Sequence, residues 1–168
     1  VPFIRPKNLA RDTSKTSDLV IHAIDNLNLK NEDIILLQPT SPLRRPIDII
    51  KAIEIYKHNN YCYSVVSMVD AKAPQEIQYK ISKNGALLKA NPFLEKRYRR
   101  QDCEIIYKPN GAIYIFNSDK FYNEKSFITS ESIPYIMPCF ESLDIDEIDD
   151  FHYLEYLCQN NEKIIPDL

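Results

Sequence analysis

The fold is decided by residues 34–42, which read Ile34-Ile35-Leu36-Leu37-Gln38-Pro39-Thr40-Ser41-Pro42. Four consecutive apolar residues are typical of a parallel strand that is covered on both faces. The apolar run ends abruptly in polar residues and prolines, which predicts a loop at the carboxyl end of the strand. Ligands of open α/β sheets gather beyond the carboxyl ends of the strands, so Gln38 occupies a candidate binding position.

Helices and strands are predicted on both sides of this stretch. Thr16 or Ser17 is predicted to cap a helix over residues 17–27. Pro46 suits a first helical turn, and an apolar stripe continues from it to about residue 58. Residues 61–69 are rich in β-forming side chains. This strand–helix–strand order predicts an α/β fold with a mainly parallel sheet and right-handed crossovers.

The later segments add a hairpin and a closing helix. Residues 76–100 alternate about Asn84-Gly85, which predicts a hairpin that projects from the core as a lid or a dimer contact. Residues 112–116 and 135–137 are further β-rich segments, and residues 147–158 have the apolar spacing of a helix.

Composition restricts the functional class. The chain has 168 residues, which suits one domain, and its net charge of −3 argues against a nucleic-acid binder. No apolar run approaches the roughly 20 residues that span a bilayer. The four cysteines are scattered without a CxxC pair, which does not indicate a zinc site. Only two glycines are present, too few for a loop that cradles phosphates.

Asp144 and Asp146 form the sharpest candidate site. Two carboxylates at i and i+2 on an extended segment project to the same side and suit Mg²⁺, which takes oxygen ligands and shares them with substrate phosphates. The same acids precede a predicted helix, so the alternative is that they cap its first amides and complement its dipole.

Three other groups have both a binding and an ordinary interpretation. The Gln38 amide can donate to and accept from a sugar hydroxyl, or it can belong to a proline-rich turn with local capping by Thr40 or Ser41. Residues 96–100, which include Arg100, can clamp an anion or form a solvated charge run. Asn110-Gly111 is by default a turn, and two aromatic residues, Tyr114 and Phe127, are by default core.

Three motifs together resemble one family. Leu37 to Arg44 matches the signature of the CMP-sialic acid synthetases (acylneuraminate cytidylyltransferases) almost letter for letter. Lys108-Pro109-Asn110-Gly111-Ala112-Ile113-Tyr114 resembles their second motif, in which Arg is more usual at the first position. Ser142-Leu143-Asp144-Ile145-Asp146 resembles the third, and the similarity covers essentially the whole chain.

The resemblance implies a fold and a reaction. The expected fold is a three-layer, Rossmann-like sheet flanked by helices, of the nucleotide-diphospho-sugar transferase type, and the expected reaction joins CTP to a nonulosonic acid with release of pyrophosphate. Asp144 and Asp146 would hold Mg²⁺, with Mn²⁺ as the alternative ion, and Arg100 would pair with the sugar carboxylate. The remaining implied contacts are Gln38, Asn110, Tyr114 and Phe127 to the sugar, and Arg5 and Thr16 to the nucleotide.

The family also has a strand and a loop rich in Gly, Ser, Lys and Arg that hold the triphosphate, and neither is found in these 168 residues. The chain is therefore expected to be a single, N-terminally truncated domain with weak or no activity when isolated. A cytoplasmic homodimer that pairs through residues 76–100 is expected. The alternatives are a synthetase for pseudaminic or legionaminic acid, more remotely Kdo, and a non-catalytic sugar-binding or dimerising remnant.

Overall fold

A computed structural model of the chain describes residues 2–11, 13–60, 62–94 and 99–160. Within these residues the α-helices are α1 Thr16–Leu27, α2 Pro46–His58, α3 Ser118–Glu124 and α4 Ile148–Asn160. The strands are β1 Asp33–Leu36, β2 Ser64–Asp70, β3 Tyr79–Ile81, β4 Leu87–Lys89, β5 Tyr107–Asn117 and β6 Ile133–Ile136. The predicted α/β class is confirmed.

The central sheet has the strand order β1-β5-β2-β6. Strand β5 is antiparallel to both of its neighbours, whereas β2 and β6 are parallel, so β1, β2 and β6 share one direction. The prediction of a mainly parallel sheet is therefore not confirmed, because two of the three strand pairs described for this sheet are antiparallel. The strand–helix–strand unit that the sequence predicts is present, but β5 returns along the chain and inserts between β1 and β2.

Helices cover both faces of this sheet. On one face, Ala52 and Tyr56 of α2 pack against Ile113 and Ile115. On the other face, a second buried cluster joins α1 and α3 to β5, and it contains Val20, Ile24, Phe116 and Phe121. Alternate residues of β5 serve the two clusters because successive side chains of a strand point to opposite faces.

Helices α1 and α2 differ in how their N-termini are capped. Helix α2 begins at Pro46 as predicted, and the Asp48 carboxylate accepts a hydrogen bond from the Arg45 amide at 2.9 Å. Helix α1 begins at Thr16, and its N-cap is Lys15, which makes no side-chain capping bond. The prediction that Thr16 or Ser17 caps α1 is therefore wrong, because both residues already have helical positions.

The predicted hairpin is confirmed as β3 and β4, which form a separate antiparallel pair. Gly85 has φ +82°, and its amide donates to the Ser82 carbonyl at 2.9 Å, which closes the turn. Ile81, Leu87 and Leu88 are exposed on this pair. Its role in dimer formation stays a prediction.

Two further properties concern the described part of the chain. No helix there has both the length and the apolar character needed to cross a membrane. The four cysteines, all within this part of the chain, form no disulfide.

Candidate active site

An open cleft of about 760 Å³ lies at the edge of the sheet where the three co-directional strands end. The chain segments that follow β1, β2 and β6 all turn at this edge, and the first half of β5 runs past them. The described residues that line the cleft are Val69, Asp70, Ala71, Lys72, Lys108, Pro109, Asn110, Cys139, Phe140, Ser142, Leu143, Asp144, Asp146, Asp150 and Tyr153. The second and third sequence motifs thus meet at one place, as expected for ligand sites of α/β sheets.

The loop after β1 is held rigidly by Arg44. One guanidinium nitrogen of Arg44 donates to the Gln38 carbonyl at 3.2 Å and to the Ala112 carbonyl at 2.8 Å. Burial lowers the pKa of Arg44 below its ordinary value. No role was assigned to this residue from the sequence, although it ends the first motif and arginine is suited to join two carbonyls.

The same loop also holds the segment that carries the aspartate pair. The Ile145 amide donates to the Thr40 carbonyl at 2.8 Å. Ser41 is 1% exposed, and its hydroxyl lies 3.5 Å from the Asn110 carbonyl, at the limit of a hydrogen bond. The N-cap of the following helix, α2, is Arg45 rather than Thr40 or Ser41.

Asp150, in the first turn of α4, binds the backbone amides just ahead of the helix. Its Oδ2 accepts hydrogen bonds from the backbone amides of Asp146 at 3.0 Å and Glu147 at 2.9 Å, ahead of α4. None of the hydrogen bonds described for the structured part of the chain joins the Asp144 or Asp146 carboxylate to an amide of α4. This observation favours the metal interpretation over the capping interpretation that the sequence left open.

Asp144 fits a cation. Its Oδ1 is buried and has no hydrogen-bond partner among the described residues, and a buried carboxylate oxygen without a partner is costly unless a ligand satisfies it. Asp146 is exposed at the same cleft. Within the described residues no group of three or more His, Cys, Asp or Glu side chains could hold a metal ion. Two carboxylates suit Mg²⁺, which takes its other oxygens from water and phosphates.

Gly111 is the point where the three motifs touch. Its φ is +79°, and a Cβ atom built on it would lie 2.6 Å from Gln38 Oε1 and 3.1 Å from Asp144 Oδ2. A side chain at this position would therefore displace the Gln38 amide oxygen and crowd the Asp144 carboxylate. The sequence suggested an ordinary turn here, and the scarcity of glycine in the chain was the signal that could have marked the position.

Tyr114 and Phe127 lie together beside this point. Their ring centroids are 4.9 Å apart, and both residues are half-buried at the margin of the second core cluster. Burial, and to a smaller extent the negative charge of Asp144, raises the pKa of the Tyr114 phenol. The two aromatic residues thus contribute to the core, and Tyr114 is also within electrostatic reach of the aspartate.

Other predicted residues are not brought to the cleft by any described contact. Arg5 is exposed, and its Nε donates to the Leu9 carbonyl at 2.6 Å. Thr16 is half-buried in the first turn of α1. The side chain of Arg100, and residues 95–98 of the basic loop, lie outside the part of the chain that the structure describes.

A buried ionic cluster supports the segment before Asp144. Glu141 is 2% exposed, and its Oε1 pairs with Arg45 at 2.8 Å. Tyr135 donates to the Asp48 carboxylate at 2.9 Å. Burial and the negative charge of Asp48 raise the pKa of the Glu141 carboxyl above its ordinary value. These contacts fix the 3₁₀ turn Cys139–Ser142 against the start of α2.

Comparison with known proteins finds close relatives. The chain is 34% identical over 155 residues to the N-acylneuraminate cytidylyltransferase of Streptococcus agalactiae serotype V, and the match covers 92% of this chain and 37% of that protein. It is 33% identical over 166 residues to the N-acylneuraminate cytidylyltransferase of Escherichia coli O18:K1:H7, with 96% of this chain and 38% of that protein covered. No family model matches the chain.

A third relative is matched over most of both chains. The CMP-N,N'-diacetyllegionaminic acid synthase of Legionella pneumophila is 33% identical over 175 residues, which covers 98% of this chain and 72% of that protein. By contrast, the chain spans less than two fifths of the length of the two cytidylyltransferases above. The resemblance inferred from the three motifs is confirmed, and the chain belongs to the acylneuraminate cytidylyltransferase family.

Proposed function

We propose that the protein transfers CMP from CTP to the anomeric hydroxyl of a nonulosonic acid and releases pyrophosphate. The proposal rests on one observation above all: Gln38 Oε1 and Asp144 Oδ2 both lie within 3.1 Å of the Cβ position of Gly111, and Asp144 lines the open cleft. An amide that recognises hydroxyl groups and a carboxylate that holds a cation are thus close enough to serve one reacting centre. The relatives named above act on substrates of this class by their names.

Asp144 and Asp146 would bind Mg²⁺ or Mn²⁺ through their carboxylate oxygens. The unpartnered Oδ1 of Asp144 supports this assignment, since cation binding would satisfy an otherwise costly buried atom. When bound, such an ion neutralises charge on the phosphates and helps to activate the attacking hydroxyl.

The sugar would lie beside Gln38, with Tyr114 and Phe127 as the apolar wall of its pocket. Half-buried aromatic rings suit the non-polar face of a sugar, while the Gln38 amide can serve its hydroxyl groups. Arg100 would pair with the sugar carboxylate, because a guanidinium group binds a carboxylate through two parallel hydrogen bonds.

The phosphates of CTP would face the positive charges of the cleft. Lys72 and Lys108 both line it, and Lys72 adopts the left-handed backbone conformation with φ 54°. Arg5 and Thr16 are the proposed nucleotide contacts from the segment around the start of α1. Positioning and charge neutralisation would supply most of the catalysis of an in-line attack on the α-phosphate.

The test is release of pyrophosphate from CTP in the presence of Mg²⁺ by the protein expressed from its complete natural coding sequence. N-acetylneuraminic, legionaminic and pseudaminic acids are supplied in turn. Asp144→Ala is expected to abolish release, because it removes a metal ligand. Asp149→Asn is the matched control, since Asp149 is an exposed acid of the same stretch that is not among the described cleft residues.

Release with one acid, lost in Asp144→Ala and retained in Asp149→Asn, would identify the sugar and support the metal role. Absence of release with all three acids, from protein shown to be folded by circular dichroism, would contradict the proposed reaction. Equal loss in both variants would contradict the specific role of Asp144.

The proposal includes a cytoplasmic homodimer that pairs through the hairpin arm, here the β3–β4 hairpin with its continuation to Phe93. Ile81 is 77% exposed, Leu87 70% and Phe93 93%, an unusual density of exposed apolar side chains for a projecting segment. Burial of these side chains by a second copy would remove them from water.

Sedimentation of the natural protein at micromolar concentration tests the dimer. Leu87→Ser combined with Phe93→Ser is expected to give monomers, while the control Ile4→Ser, at a site 91% exposed outside the arm, leaves the dimer intact. A monomeric unsubstituted protein, or a dimer that survives the double substitution, would contradict the arm as the interface.

A further inference from the structure

Strand β5 departs from regular pairing next to the cleft. Val66 of β2 pairs with Tyr114, but Met68, two residues later, pairs with Pro109 rather than with residue 112. Opposite Ser67, β5 therefore carries extra residues, which form a β-bulge. Bulges concentrate near active sites, and a buried bulge leaves backbone groups that need other hydrogen-bond partners.

The Ser67 hydroxyl supplies those partners. It accepts a hydrogen bond from the Ile113 amide at 2.7 Å and donates to Asn110 Oδ1 at 2.5 Å, with the Ile113 carbonyl also in reach at 3.1 Å. Ser67 is fully buried and is not among the described residues that line the cleft. Its side chain is therefore inaccessible to a ligand in that cleft.

The Asn110 amide is saturated by the protein itself. Oδ1 accepts from the Ser67 hydroxyl and from the Ala112 amide at 3.1 Å. Nδ2 donates to Ser142 Oγ at 2.8 Å and to Met137 Sδ at 3.3 Å. A side-chain amide has two donor hydrogens and two acceptor lone pairs, so these four contacts use its ordinary capacity. Asn110 is 4% exposed, which agrees with an internal role.

We infer that Ser67 and Asn110 are positioning residues of the catalytic cleft and that Asn110 is not a sugar ligand. Ser67 holds Asn110, and Asn110 holds Ser142, which lies two residues before Asp144. The residue after Asn110 is Gly111, where an added Cβ atom would lie 2.6 Å from Gln38 Oε1 and 3.1 Å from Asp144 Oδ2. This chain of contacts, the Ser67–Asn110–Ser142 relay, fixes the separation between the Gln38 amide and the Asp144 carboxylate. The inference deepens the proposed function and rests on it for its catalytic consequence.

Hydrogen exchange measures the positioning without any turnover. In the natural protein, Ser67→Ala is expected to accelerate exchange of the peptide covering residues 142–147 at least about tenfold. Without Ser67, the relay no longer holds this segment in place, so the hydrogen bond from the Ile145 amide to the Thr40 carbonyl opens more often. Asn110→Ala should act in the same way, and the double variant should differ little from either single variant, since all three interrupt one relay.

Ser64→Ala is the matched control. Ser64 is also fully buried on β2, and its hydroxyl is also hydrogen-bonded, to the Phe127 carbonyl and to Ser132, but none of the contacts described for it reaches Asn110. It should leave exchange of residues 142–147 unchanged. If Ser67→Ala does not fold, Ser142→Ala interrupts the same relay by removing the hydrogen bond between Asn110 and Ser142.

Kinetics then separate a positioning role from sugar binding. Ser67→Ala and Asn110→Ala are expected to lower kcat about tenfold or more while the sugar KM stays within about twofold, as for residues that act on the reacting geometry. Unchanged exchange in both Asn110→Ala and Ser142→Ala would overturn the inference, as would a raised sugar KM without faster exchange. Absence of activity in the unsubstituted protein would contradict the proposed function alone, because the exchange result stands independently.

Discussion

The two glycines of the chain occupy opposite kinds of environment although their backbones are alike. Gly85 closes the exposed turn of the arm with φ +82°, and an added Cβ atom there would meet nothing within 4 Å. Gly111 lies in the buried bulge of β5 with φ +79°, and an added Cβ atom would meet Gln38 and Asp144. The turn needs glycine for its dihedral angles, whereas the cleft needs it for both dihedral angles and space.

The bulge of β5 and the β3–β4 hairpin also differ in burial. Residues 110–113 of the bulge are buried, and Ala112 and Ile113 have no exposed surface. The residues of β3 are exposed throughout. Internal contacts therefore determine the conformation of the bulge, whereas the hairpin depends on its turn and its short ladder. Two-stranded hairpins are marginally stable alone, so the arm gains most from an external partner.

The largest difference in stability is expected from truncating one apolar side chain in each region. Ile113→Ala should lower the free energy of unfolding by about 2–5 kcal/mol, because it leaves a cavity in the packed core. Leu87→Ala, at a site 70% exposed, should change it by no more than about 0.5 kcal/mol. Urea unfolding followed by circular dichroism compares the two, at a protein concentration where the chain is monomeric. Similar losses would show that the arm packs on its own domain.

The glycines themselves give the next effect. Gly85→Ala and Gly111→Ala each introduce a left-handed alanine, which costs roughly 1–2 kcal/mol of stability. Gly111→Ala should in addition reduce kcat about 100-fold, because the Gln38 amide oxygen must move away from the added Cβ atom and the Asp144 carboxylate must shift slightly. Pyrophosphate release by the two variants is the measurement. Gly85→Ala is the control for backbone strain, and equal activity of the two variants would mean that the cleft tolerates this displacement.

The sequence predicts local features of both regions, but it does not predict how distant segments meet. The Asn84-Gly85 hairpin and the α2 start at Pro46 follow from local turn and capping chemistry, and the structure agrees. The insertion of β5 between β1 and β2 depends on pairing between residues far apart in the chain, which periodicity does not encode.

The same limit applies inside the cleft. Gln38 could be selected from its position after a strand and the aspartate pair from its i, i+2 spacing, and the family motifs identified both. Ser67 could not, since a serine within a β-rich segment gives no sign that its hydroxyl completes a bulge formed more than 40 residues later. The sequence also left both capping and metal binding open for Asp144, and the bond from the Asp146 amide to Asp150 is a contact that only the folded backbone defines.

Buried charge is a third difference between the regions, and its effect is the smallest. Glu141 lies at the cleft end with a pKa raised above its ordinary value of 4.5 by burial and by Asp48. Between 4.5 and the higher native value, the native state retains a proton that the unfolded chain has released. The stability contributed by this group is therefore present below 4.5 and is lost as the pH rises through the native pKa.

Glu141→Gln isolates that effect. The free energy of unfolding of the unsubstituted protein, minus that of Glu141→Gln, should decrease as the pH is raised from 4 to 7, because glutamine does not ionise. Urea unfolding at several pH values in this range gives the difference, and Glu131→Gln, at an exposed position away from the buried cluster, corrects for the general loss of one negative charge. A difference that instead grows with pH would mean that the ion pair with Arg45 outweighs burial, and that Glu141 stabilises the turn before Asp144 as a carboxylate.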